Sequence, residues 1–71
     1  MKISYDPEYD VMYLKLLDGV VVETVEAGPN ILIDYGENNE VLGIEIINAS
    51  GLIKANPLEE IVIKVQERAR A

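Results

Sequence analysis

Few groups in this chain could do chemistry, and two carboxylates lead them. Asp34 in "ILIDYG" and Glu45 in "LGIEII" each stand inside an apolar run, the pattern of a charged side chain on one side of a β-strand. If the two runs pair across "GENNE", Asp34 lies opposite Gly43 and Glu45 sits diagonal to it on the same face, about 7–8 Å away. Two acids that close could share a proton or hold a hard cation through oxygen. The rest of such a site is missing from the composition. There is no histidine and no cysteine, so ordinary zinc ligation lacks its ligands, and an oxygen-bound divalent ion wants about six donors. Ser4, Ser50 and Thr24 are the hydroxyls outside tyrosine, and without histidine none has the base that activates a nucleophile. Ser50 is read as a cap for the turn that follows it. Gly19, Gly28, Gly36, Gly43 and Gly51 are isolated, so no phosphate-cradling loop is present. The chain is therefore expected to be no enzyme and to carry no metal or cofactor. The alternative is a small-ligand or divalent-metal-binding, hydrolytic protein using Asp34 and Glu45. The plainer reading is a solvated charge beside an interface, with Gly43 admitting a close neighbour.

Strands must position these groups. In "DVMYLKLLDGVVVETVE" two β-rich runs flank Asp18-Gly19, which suits a two-residue turn. Residues 11–17 and 20–26 are thus predicted to pair, with Leu17 facing Val20, Leu14 facing Glu23 and Met12 facing Val25. A second hairpin joins residues 30–35 and 41–47 around Asn38-Asn39, pairing Ile31 with Ile46, Ile33 with Ile44 and Tyr35 with Leu42. A slip of one residue would scatter those six apolar side chains, so the register is well specified. "KISY" reads as a first strand turned back at Pro7. After Ile47, "NASGLIKA" has room for one irregular helical turn. "NPLEE" then reads as a helix start, with Asn56 as N-cap and Pro57 at the first position. Leu58, Ile61, Val62, Val65 and Ala69 share one side at helical spacing, with Arg68 and Arg70 near the favourable end. The rival is a sixth strand over residues 61–65. The expected fold is α+β, an antiparallel β-meander of about five strands over residues 1–50, then a turn and C-terminal helix over 51–71.

Seventy-one residues make one small domain, which buries only about 60% of the surface of its unfolded chain. Disulfides are impossible, so self-association is the expected support. Both sides of the predicted sheet carry apolar residues, and one helix cannot cover both. A homodimer is expected, with Val11, Tyr13, Val20 and Val22 of the first hairpin as contact candidates. Leu32, Val41 and Ile47 of the second hairpin join them, as does Ile63, which lies off the helix stripe. Thirteen acids against six bases give a net charge of −7. A negative surface repels phosphate backbones, so nucleic acid is an unsuitable ligand, whereas a basic protein fits. No secretion pattern opens the chain and no apolar run approaches the roughly 18 residues of a membrane span, so a cytoplasmic protein is expected.

Over residues 1–50, "YDPEYDVMYLKL" and "DGVVVETVEAGPNILIDYGENNEVLGIEIINAS" resemble the small bacterial and archaeal family known as domain of unknown function 2283. The resemblance is carried by Tyr5-Asp6-Pro7-Glu8, the strand from Val11 to Leu16, Val22-Glu23-Thr24, Asp34-Tyr35 and Gly43 to Ile46. Asn38-Asn39 departs from the Asp-Gly usual in the second turn. The resemblance implies a dimeric β-meander with a helix and no established activity. Because some relatives are encoded beside small toxin-like proteins, it also implies an antitoxin-like role.

Overall fold

The computed structural model describes residues 1–68. Alternation of apolar and polar residues in "KISYD" and "VMYLK" makes each a half-buried strand, and these are β1 (Lys2–Asp6) and β2 (Val11–Lys15). The turn between them is held by Asp6, whose Oδ1 accepts from the backbone N–H of Glu8 at 2.9 Å and of Tyr9 at 3.4 Å. Asp10 closes the turn in the left-handed region, at φ 55°. The pairing is antiparallel, with Ile3 opposite Leu14 and Tyr5 opposite Met12.

The remaining strands are β3 (Glu23–Gly28), β4 (Ile31–Tyr35) and β5 (Val41–Ile47). They run as a meander, and β2 joins its far side, giving one antiparallel sheet in the order β1-β2-β5-β4-β3. Three consecutive strands with a fourth returned beside the first of them is the Greek-key arrangement, here read from β5 back to β2.

The Asp18-Gly19 hairpin is thus corrected, for β2 and β3 do not pair. A two-residue turn of the predicted type needs positive φ at both central positions; Gly19 has it, at 159°, and Asp18 does not. Packing explains the outcome. The predicted hairpin set Leu14 against Glu23, whereas pairing with β5 sets Leu14 against Ile44 and Met12 against Ile46. Residues 16–22 become a crossover. Leu16 and Leu17 both donate their N–H groups to the carbonyl of Leu42 (2.8 and 3.1 Å), and Val22 donates to that of Tyr35 at 2.9 Å. Gly19 comes so close to Leu42 that a β-carbon there would lie 3.0 Å from its Cδ2. Asp18 instead pairs its carboxylate with Lys15 Nζ at 2.7 Å.

The second hairpin follows its predicted register at Ile31–Ile46, Ile33–Ile44 and Asp34–Gly43. It departs at the end, where Tyr35 faces Val41 rather than Leu42 because a bulge intervenes. On its other side Leu42 gives its carbonyl to the N–H groups of Leu16 and Leu17. Of the two turn asparagines only Asn39 has positive φ, 62°.

A short helix, α1 (Ala49–Ile53), follows β5. The helical turn expected in "NASGLIKA" is this one, whereas the longer helix predicted from Pro57 is absent from residues 57–68, as is the rival strand. Ala69 and Arg70, also assigned to that helix, lie outside the described residues. The physical reason is that an isolated helix this short is marginal in water, and three successive β-branched residues, Ile61-Val62-Ile63, lower its propensity further.

Among the described residues only Met12, Leu42 and Ala49 are buried hydrophobic residues. The sheet is a single layer: the chain measures 39 × 37 × 19 Å with a radius of gyration of 14.3 Å, against about 11 Å for a compact chain of this length. Leu42, 2% exposed under the crossover, is the best-covered large side chain. Leu42→Ala is expected to cost about 2–4 kcal/mol, read as a lower urea midpoint; an unchanged midpoint would show that the crossover does not seal it.

Candidate functional site

Register decides which side chains meet. Cross-strand partners share a face, so Ile3, Tyr5, Met12, Leu14, Ile44, Ile46, Ile31, Ile33 and Val25 fall on one side. The other side carries Ser4, Val11, Tyr13, Lys15, Gly43, Glu45, Ile47, Leu32, Asp34, Thr24 and Glu26. Every polar cross-strand contact of Asp34 is on this second face.

Asp34 stands on β4 opposite Gly43 on one flank and Thr24 on the other. Its Oδ1 accepts from the Thr24 hydroxyl at 2.6 Å, and its Oδ2 accepts from the Tyr13 hydroxyl at 2.8 Å. Tyr13 is two strands away, on β2, and reaches Asp34 by lying across Gly43 of β5. A β-carbon at Gly43 would overlap the Tyr13 hydroxyl and ring, and would stand 3.0 Å from the Leu14 carbonyl. Glycine is therefore required by the side chain that crosses it. The result is a polar tie over four strands, Tyr13–Asp34–Thr24, with Glu45 next to Tyr13 on β5. The Tyr13 phenol is raised above its ordinary pKa, first by donating to Asp34, then by desolvation and the negative charges of Asp34 and Glu45. It is held protonated, as a donor and not a base.

This arrangement positions a carboxylate between two hydroxyl donors. Both Asp34 oxygens already accept hydrogen bonds. Among the described residues no three His, Cys, Asp or Glu side chains come close enough to hold a metal ion.

A second polar centre, which the sequence reading did not single out, lies at the sheet's other end. Asp10 Oδ1 accepts from the Tyr5 hydroxyl at 2.6 Å and from the Ser50 N–H at 3.0 Å, and its Oδ2 accepts from the Ser50 hydroxyl at 2.7 Å. Its backbone carbonyl accepts from the Ala49 N–H at 3.0 Å. Asn48, the residue before α1, makes no side-chain cap bond, so the helix start is capped from the β1–β2 turn. Ser50 thus answers Asp10 rather than capping the turn after it. These hydrogen bonds, Tyr5's first and then Ser50's, lower the Asp10 pKa.

The contact candidates scatter. Val11 and Ile47 are paired partners on the polar face, where Leu32 and Tyr13 also lie, and Tyr13 is occupied by Asp34. Val41 faces Tyr35 at the bulge. Val20 and Val22 are exposed in the crossover, and Ile63 is exposed in the extended residues after α1. The Tyr13–Asp34 link could not be read from spacing, since it needs β2 beside β5. The one signal for it was that Tyr13, Thr24, Asp34 and Gly43 all fall in the segments that carry the family resemblance.

Residues 2–50, which contain all five strands and end at Ser50, match the family described as "Protein of unknown function (DUF2283)", and the chain belongs to that family. It is also 39% identical over 56 residues to an uncharacterised protein of Methanocaldococcus jannaschii, covering 79% of this chain and 47% of that protein. The chain thus spans about half the length of that relative. No solved structure matches. Among the described residues no helix is long and apolar enough to cross a membrane.

Gly43→Ala is expected to destabilise the chain by about 1–3 kcal/mol through crowding, and Tyr13→Phe by about 1 kcal/mol through the lost hydrogen bond. In a Tyr13→Ala background the Gly43→Ala penalty should shrink by at least about 0.5 kcal/mol; strict additivity in denaturant titrations would dissolve the proposed contact. For Asp10 the sign follows from proton linkage: folding lowers its pKa, so the unfolded chain takes up the proton more readily. Its contribution is complete above the ordinary value of 3.8 and is lost as pH falls below it. Thermal melts across that acid window should show a smaller pH dependence for Asp10→Asn than for the parent.

Proposed function

We propose that this chain is a non-enzymatic protein-contact module of the cytoplasm that works as a homodimer. The apolar sheet face meets a second copy, and the acidic remainder is left to engage a basic protein. The observation that carries the reading is the uncovered face itself. Ile3, Leu14, Ile31, Ile33, Ile44 and Ile46 are all only half-buried in the single chain. Total exposed surface is 5920 Å², against about 4400 Å² for a folded monomer of this mass. Part of that excess belongs to the extended residues after α1. A standard interface takes roughly 800 Å² from each partner. Covering even 400 Å² of apolar area would contribute roughly 10 kcal/mol before association costs.

Charge supports the second half of the reading. Asp6, Glu8, Asp18, Glu23, Glu26 and Glu37 are exposed, and opposite potentials favour encounter with a basic surface. An antitoxin-like pairing with a small basic protein is one member of this class of function. Asp34 supports a structural role better than the metal-dependent alternative, because its oxygens are already engaged.

Light scattering at micromolar concentration is expected to report twice the chain mass of 7.9 kDa, and Ile33→Asp to shift the protein toward the single chain. A folded parent chain that stays at 7.9 kDa would refute the self-association.

A further inference from the structure

Resting on the self-association above, we propose that residues 57–68 of each subunit fold as an amphipathic helix across the apolar sheet face of the other. Leu58, Ile61, Val62 and Val65 recur at helical spacing and form one stripe, from which Ile63 points away. In the single chain the far end of that stripe is uncovered, with Val62 76% and Val65 87% exposed, while Ile61 is 46% exposed and Leu58 half-buried. The segment begins beside the face it would need, since Leu58 to Ile61 line a groove with Tyr5, on the apolar side of the outer strand β1.

Dimensions agree. Twelve residues make a helix about 18 Å long, and five strands about 4.8 Å apart present a face about 19 Å wide. A stripe exposed at Val62 and Val65 and a half-buried apolar face, of equal span in one chain, are complementary. Apolar residues left outside the isolated chain are what an exchanged segment leaves when its partner is absent. Folding of the segment then requires the partner, because a helix this short needs tertiary contacts to form.

Two full-length variants and one labelling experiment test this. Ile61→Asp/Val65→Asp, on the stripe, should weaken dimerisation by about 100-fold or more, while Ile63→Asp should leave the dissociation constant within about threefold of the parent. Equal sensitivity at all three positions would mean an extended segment and overturn the helix. In a dimer formed from equal amounts of carbon-13-labelled and unlabelled chains, filtered NOEs should join the Leu58, Ile61 and Val65 methyls of one subunit to the Ile33 and Ile44 methyls of the other. A dimer with unstructured residues 57–68, or with those contacts only within one chain, would overturn the exchange and leave the self-association standing. A monomer would remove both.

Discussion

The pairing of β2 with β5 is the contact on which the rest of the molecule depends. It joins a hairpin near the start of the chain to the last strand of a three-strand meander, and it does so through side chains that match. Met12 meets Ile46 and Leu14 meets Ile44. Loop-closure entropy rises only slowly with length, so the long connection is a modest cost beside two apolar pairs and the hydrogen bonds that Leu16 and Leu17 give to Leu42. Without this pairing Tyr13 would stand far from Asp34.

One sheet thereby acquires two unlike faces. The polar face is satisfied within the chain, because Asp34 takes hydrogen bonds from strands on both sides and Gly43 lets Tyr13 pass above it. The apolar face is not. Ile31, Ile33, Ile44 and Ile46 are left half-buried in the single layer, whose one helix is five residues long and is capped by Asp10 at the sheet's end. Membership of the family rests on residues 2–50, so the sheet, the Tyr13–Asp34–Thr24 tie and the Asp10–Ser50 cap fall within the matched region, while the segment proposed to close the dimer lies beyond it.

What could be read in advance followed local pattern. Ile31, Ile33, Ile44 and Ile46 alternate so regularly that their register, and with it the placing of Asp34 opposite Gly43, is legible from the residues alone. The bulge at Leu42 was not legible, because the alternation of apolar residues runs through it without a break. Asp18-Gly19 misled for a related reason: its turn chemistry is sound in isolation, but the hairpin it would form faces Leu14 with a glutamate, and a better partner existed on β5. Asn56-Pro57 has the chemistry of a helix start, yet the stripe that follows meets the single chain beside Tyr5 and is left exposed at Val62 and Val65.

Alternation of side chains, the punctuation at Pro7 and Asn39, the absence of histidine and cysteine, and the acidic charge are all properties of neighbouring residues or of composition. The sequence by itself therefore determined the five strands, one hairpin register and the excess of apolar surface. Strand order, the crossover over Leu42, the reach of Tyr13 across Gly43 and the capping of α1 by Asp10 belong to the tertiary structure alone. Each joins residues distant along the chain, and which distant partner wins depends on comparing whole sets of contacts, a comparison that no local pattern contains.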